Sequence, residues 1–219
     1  MAQIDKITES VYRISSSAGP PGQMGGFSFN QFLIKDEKSI LIHTGAVQQF
    51  KGVLESLSTV IDIKQLTYLF ISHFESDECG AICNFLGANS ALIPVSGGIT
   101  ARQLQGFGLH GTPLVVKAGD ELDLGKHKLS FISYPSEMHL WEGLLTYDKT
   151  DKILFSSDLF VARGGGEGPV KKAVRAEVLK IDPRNIPSDE GRTKCQAAID
   201  ALDINLVAVG HGQTLDLRP

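Results

Sequence analysis

The sequence predicts an α/β fold with mixed sheets, two sheets packed together with helices outside, on three observations. Short apolar, β-prone runs pair into hairpins. Other runs alternate with helical spacings in strand–helix–strand order. Both arrangements recur in the two halves of the chain, without an obvious sequence repeat. The 219 residues, 42% apolar and 21% charged, suit one large domain over residues 1–219 with a sizeable core.

Taken in order, Phe27 to Lys35 and Ser39 to Thr44 flank Asp36-Glu37-Lys38 as a hairpin. Val47, Phe50, Val53, Leu54 and Leu57 are spaced for a helix over 47–58. Leu66 to Ser72 is a near-continuous apolar run, the mark of a strand covered on both faces. A helix from about Glu78 to Leu86, a buried strand at Ala91 to Val95 and a helix from about Ile99 to Phe107 complete the first half. In the second half, Glu121 to Leu124 and His127 to Ser133 flank Gly125 as a hairpin. Gly143 to Tyr147 and Lys152 to Ser156 flank the polar turn Asp148-Lys149-Thr150-Asp151. A helix near Arg192 to Leu202 leads into a buried strand, Leu206 to Val209. The glycine-rich run Arg163 to Pro169 reads as a surface loop or as a lid beside a site, and it lacks the Lys-Ser/Thr ending of a phosphate loop.

Charge and composition exclude several classes. Lysine and arginine total 21 against 25 acidic residues, a net charge of −4, which argues against a nucleic-acid binder. No apolar stretch approaches the roughly 18–20 residues that span a bilayer, so no membrane association is expected. Met1-Ala2-Gln3-Ile4-Asp5-Lys6 lacks the order of a secretory signal, and three cysteines make no disulfide framework. A cytoplasmic location is the expectation.

The chemistry concentrates at Ser72-His73-Phe74-Glu75-Ser76-Asp77-Glu78-Cys79-Gly80, where a buried strand ends. In an extended loop, His73, Glu75 and Asp77 project to one side. A histidine and several carboxylates converging in a confined place repel one another unless a cation or protons sit among them. The alternative is a solvated acidic turn, with Asp77 capping the next helix and Glu78 in its first turn. Three further candidates each follow directly on a strand: His139 in Glu137-Met138-His139, Asp158 after Phe155-Ser156-Ser157, and His211 in Gly210-His211-Gly212. Four ligand-type residues in one repeating context favour a metal site. Cys79 and Cys83, four apart on the expected helix, read as packing residues more than redox groups. His110 and His127 read as exposed, and Trp141 as a wall of the site.

The string His73-x-Glu75-x-Asp77-Glu78, followed by His139, Asp158 and Gly210-His211-Gly212, resembles the metallo-β-lactamase superfamily. Glutamate at position 75 in place of a second histidine, with His139-x-Trp141 and Phe155-Ser156-Ser157-Asp158, is similar to its flavodiiron branch. The resemblance covers nearly the whole chain, from the hairpin at Phe27–Gly45 to His211. It implies an αββα sandwich with two mixed β-sheets and a two-metal site at one edge. His73, Glu75, His139 and Asp158 would hold one metal; Asp77, a bridging Asp158 and His211 would hold the other. The chain departs from the family pattern at two positions. Glu78 stands where the motif usually ends in histidine, and His43, in Leu41-Ile42-His43-Thr44-Gly45, stands where the superfamily has aspartate.

The carboxylates Glu75, Asp77, Glu78 and Asp158 balance two divalent cations, which gives Glu78 a role as ligand. Oxygen-rich ligation suits iron, with manganese or zinc as substitutes. The expected function is a non-haem diiron protein that binds O₂ or NO, as an oxygen sensor or as a reductase. The flavodiiron resemblance implies a flavin partner domain, but no flavin phosphate loop is visible and only eight residues follow His211. No flavin is therefore expected in this chain, and electrons or signals would pass through a separate protein. Family members commonly associate head to tail, which brings one chain's flavin near the other's irons; without a flavin domain that motive is lost, and the expectation only leans toward a homodimer. The alternative function is a dinuclear metal-dependent hydrolase of a thioester, lactone or similar ester. Anionic ligands weigh against it, because they make poorer Lewis acids of the metals.

Overall fold

The computed structural model describes residues 2–18, 27–135, 143–162 and 168–219. These form two seven-stranded sheets. The first runs in chain order through β1 (Gln3–Lys6), β2 (Val11–Ala18), β3 (Phe27–Ile34), β4 (Ser39–Ile42), β5 (Leu66–Phe70), β6 (Ile93–Ser96) and β7 (Leu114–Val115). The second contains β8 (Glu121–Asp123), β9 (Lys128–Tyr134), β10 (Gly143–Asp148), β11 (Ile153–Ser157), β12 (Val170–Lys172), β13 (Leu206–Val209) and β14 (Thr214–Asp216), in the order β12-β14-β13-β11-β10-β9-β8. Both sheets are mixed. Hairpins β2–β3–β4 and β8–β9–β10–β11 are antiparallel, while β4–β5–β6 and β11–β13 are parallel.

Alternation along the strands builds four layers. Ile40 and Ile42 of β4, Phe155 of β11 and Ala208 of β13 meet between the sheets, where Phe32 and Phe155 pack edge to face. Their neighbours Leu41, Leu154 and Val207 point outward, under helices. On one side lie α1 (Phe50–Leu57), α2 (Ser76–Cys79), α3 (Ile82–Ala88) and α4 (Gly98–Gly106); on the other lie α5 (Arg175–Val178) and α6 (Asp189–Asp200). Strands covered on both faces read as continuous apolar runs, which is why β4, β5 and β13 are plain in the sequence. The αββα sandwich is the architecture found. No described helix is long and apolar enough to cross a membrane.

Several boundaries differ from expectation. The helix expected over 78–86 is two short helices broken at Gly80–Ala81. There the backbone bonds to the loop after β4 instead: Thr44 N–H donates to Glu78 O at 2.8 Å, and Ala81 N–H to Gly45 O at 3.0 Å. Cys79 and Cys83 therefore do not share one helix face; Cys79 is buried and Cys83 exposed. Helix α6 begins before Arg192, because the Ser188 hydroxyl caps it by accepting from Gly191 N–H at 3.1 Å. Residues 47–49 form a 3₁₀ turn ahead of α1, and Val47 is exposed rather than on the packed face.

His110 is exposed as expected. His127 is not: it is 4% exposed, at the end of β9 farthest from the end where β10 begins. Its Nδ1 lies 2.8 Å from Asp148 Oδ2, its Nε2 2.7 Å from Ser10 Oγ, and its backbone N–H donates to Asp36 Oδ2 at 2.7 Å. A histidine that ties both sheets together through three polar partners has reason to be buried.

Candidate metal centre

Each parallel strand of the two sheet centres ends at the same pole of the sandwich, and each hands over to a polar side chain. β4 leads to His43, β5 to Ser72 and His73, β11 to Ser157 and Asp158, and β13 to Gly210 and His211. Glu75 precedes α2, whose single turn carries Asp77 and Glu78. Asp77 thus sits inside the helix and not at its cap, whereas Glu78 does lie in the first turn. Glu78 is 2% exposed.

Ligand-type atoms of His73, Glu75, Glu78 and Asp158 lie within 4.8 Å of one another, and so do those of Asp77, Glu78 and His211. Glu78 belongs to both groups. Asp158 also faces both: Oδ2 is 3.6 Å from His73 Nε2, and Oδ1 is 3.1 Å from His211 Nε2. His73 Nε2 is 3.1 Å from Glu75 Oε2, and His211 Nε2 is 3.5 Å from Asp77 Oδ2. The structure therefore gathers six of the seven expected ligands. The seventh, His139, lies outside the described residues, as do Trp141 and residues 163–167 of the glycine-rich loop.

Both imidazoles are aimed by the far side of the ring. His211 Nδ1 donates to the carbonyl of Ser28 at 2.9 Å, and His73 Nδ1 is 2.9 Å from Ser72 Oγ. Each ring thereby presents Nε2 to the carboxylates, the orientation that a metal-binding histidine needs. Aromatic edges hold the rings in place: Phe29 packs on His211 at 5.4 Å and Tyr134 on His73 at 5.9 Å, both near perpendicular.

The electrostatics test whether cations fit. Burial, then the charges of Asp158, Asp77 and Glu75, push the Glu78 carboxyl well above the usual carboxylate range. Its Oε2 is buried and accepts no hydrogen bond. A lone pair with no donor, among three other acids, lacks positive charge. Two divalent cations would supply it, and the donor set of carboxylates and imidazoles suits iron or manganese. His211 is pulled down by burial, yet the hydrogen bonds to Asp158 and Ser28 leave its pKa raised. His43 is pushed down to about 3 by burial and by His73, so it is uncharged at neutral pH. The Cys79 thiol is pushed up to about 12 by burial and by Glu78, and it donates to Glu75 O. That is a packing cysteine and not a nucleophile.

Residues 27–212 match the family described as ODP family beta lactamase. The chain belongs to this family. An uncharacterized protein of Methanocaldococcus jannaschii is 34% identical over 199 residues, 85% of this chain and 49% of that protein. The anaerobic nitric oxide reductase flavorubredoxin of Salmonella arizonae is 34% identical over 141 residues, 62% of this chain and 29% of the reductase. A variant of the flavo di-iron protein of Thermotoga maritima superposes with a TM-score of 0.80 at 22% identity, over 99% of this chain and 59% of that one. This last likeness shows the fold. The resemblance to the metallo-β-lactamase superfamily is thus borne out, and the ODP-family chain is similar to flavodiiron proteins. It spans about half the length of the Methanocaldococcus relative and less of the reductase.

Sequence reasoning on the ODP chain missed the residues that support the ligands. Gly210 and Gly212 bracket His211 for steric reasons. A Cβ at Gly210 would lie 3.1 Å from Asp158 Oδ1; one at Gly212, where φ is +103°, would lie 2.1 Å from Ala162 O. Gly143 begins β10 against Tyr134 and His73, and its Cβ would meet Tyr134 Cδ1 at 2.8 Å. The one available signal was glycine directly beside a ligand, as in Gly210-His211-Gly212; nothing marks Gly143.

Proposed function

We propose that the chain is a non-haem diiron protein that binds O₂ or NO, as a sensor or as a reductase supplied with electrons by a separate protein. The observation that carries this is Glu78, a buried carboxyl common to both ligand groups with an oxygen that accepts no hydrogen bond. His73, Glu75 and Asp158 would hold one iron, with His139 as the expected fourth ligand. Asp77, Asp158 and His211 would hold the other, and Glu78 reaches toward both. When bound, the irons supply the electrons that a diatomic ligand takes up. The protein's part is to fix the geometry. Ser28 and Ser72 hold the imidazole tautomers, Phe29 and Tyr134 pack on the rings, and the four carboxylates would neutralise two divalent irons.

The relatives support the reading: one is an anaerobic nitric oxide reductase and one a flavo di-iron protein. Ester hydrolysis is less well served, because anionic ligands weaken the Lewis acidity it needs. Anaerobic loading with ferrous iron, followed by O₂, tests the proposal. The expected outcome is two irons per chain and a visible absorption change on exposure. A colourless zinc protein that turns over esters would reverse it.

A further inference from the structure

Two of the three non-glycine residues with left-handed backbone among those described, His43 at φ 65° and Ser157 at φ 46°, aim at one atom. Ser72 Oγ lies 2.9 Å from His43 Nε2, 2.9 Å from Ser157 Oγ and 2.9 Å from His73 Nδ1. All four side chains are buried. Strained backbone persists where the surroundings hold it, and here both strained residues serve the same hydroxyl. We propose that His43 is a positioning residue, which through Ser72 fixes the His73 proton on Nδ1 and sets how strongly that ring donates at Nε2. The inference rests on the diiron reading and deepens it.

Proton counting leads there. Ser72 has one hydroxyl proton and three partners. With Nε2 of His73 turned to the carboxylates, the ring's proton sits on Nδ1, and Ser72 Oγ accepts it. The hydroxyl's own proton then needs an acceptor, and the uncharged imidazole of His43 offers the Nε2 lone pair. Ser157 fills the remaining lone pair of Ser72. The space beneath His43 is tight: Phe32, Ile42, Phe70 and Phe155 close around a void of about 10 Å³, so the group that faces Ser72 from this side is the His43 ring. A carboxylate at position 43 would accept the same proton but would add a negative charge two hydrogen bonds from the metal. His43 keeps the acceptor and omits the charge, which favours the reduced centre relative to an acidic residue there.

The full chain loaded anaerobically with ferrous iron tests this. Iron stoichiometry, chelator competition, the midpoint potential and the shifted, exchangeable imidazole N–H resonance would be measured for the wild type, Ser72→Ala, His43→Asp and His43→Asn. Ser72→Ala removes one oxygen and no charge; it should weaken iron binding about 10-fold or more and speed exchange of the His73 N–H. His43→Asp should lower the midpoint potential with two irons still bound, while His43→Asn should stay near the wild type. Two irons held with unchanged affinity in Ser72→Ala, and an unchanged potential in His43→Asp, would overturn the inference alone. If His43→Asp does not fold, Ser72→Ala decides. A wild-type chain that takes up no iron defeats the diiron reading and this inference together.

Discussion

Asp158 and His211 meet at 3.1 Å through Oδ1 and Nε2, while the other oxygen of the same carboxylate faces His73. One side chain therefore serves both halves of the site. Asp158→Asn should reduce the binding of both metals, because an amide offers one oxygen and no charge. Asp77→Asn should weaken one metal and spare the other, since Asp77 is grouped with Glu78 and His211 only. Metal titration followed by stoichiometry checks this, and equal losses in the two variants would contradict the shared role of Asp158.

Glu78 ties metal binding to pH. Its carboxyl is raised above the ordinary value of 4.5 in the folded chain, so the metal-free fold binds a proton more tightly than the unfolded chain. The metal-free protein should be most stable below pH 4.5 as far as Glu78 is concerned, and should lose that stability as pH rises through the raised pKa. Glu78→Gln should flatten this dependence and raise the metal-free melting temperature at neutral pH. It should also abolish much of the stabilisation that added iron brings. Melting curves with and without metal across pH separate the two effects.

The ligand residues were legible in the sequence because an abrupt histidine or acid after a buried apolar run is visible without knowing the fold. Their supports were not. Ser72, Ser157 and the Ser28 carbonyl act only through register and loop approach, which place residues 28 and 211 together across the two sheets. Strands β1 and β2 were invisible for another reason. Arg13 is 7% exposed, with its guanidinium on Asp5 and on the carbonyls of Pro169 and Gly212, so a polar sequence conceals a buried strand. Tertiary partners decided these places, and local pattern carries no trace of a partner 85 or more residues away.

The His127–Asp148 pair gives a second pH dependence, remote from the metals. The hydrogen bond to Asp148 raises the His127 pKa above 6.5 against the pull of burial. A raised histidine contributes stability that is fully present below pH 6.5 and is lost as pH rises through the folded-state value. In iron-loaded protein, His127→Gln should lower stability by about 1–3 kcal/mol at pH 6, since Asp148 loses a charged partner, and by less at pH 9. Denaturant melts at the two pH values measure it. A loss that is the same at both would mean that folding leaves the His127 pKa unshifted.

The glycines beside the site should rank by what a methyl group would meet. Gly143→Ala places Cβ 2.8 Å from Tyr134 Cδ1, on a side chain that is buried and packs near perpendicular to His73. Overpacking of this kind costs about 1–3 kcal/mol, and here the displaced ring would press on a metal ligand. Stability and iron affinity should therefore fall together, and a second change, Tyr134→Leu, should restore part of the stability by making space. Gly212→Ala faces backbone instead: the Ala162 carbonyl lies 2.1 Å from the new Cβ, and φ is +103°. No side-chain change can relieve that clash, so Gly212→Ala should be the more damaging variant and no partner mutation should rescue it. Melting temperatures of the two single variants and the double variant decide the order. Gly212→Ala as stable as Gly143→Ala would mean that the 211–213 loop moves freely, and that His211 is aimed by something other than its backbone.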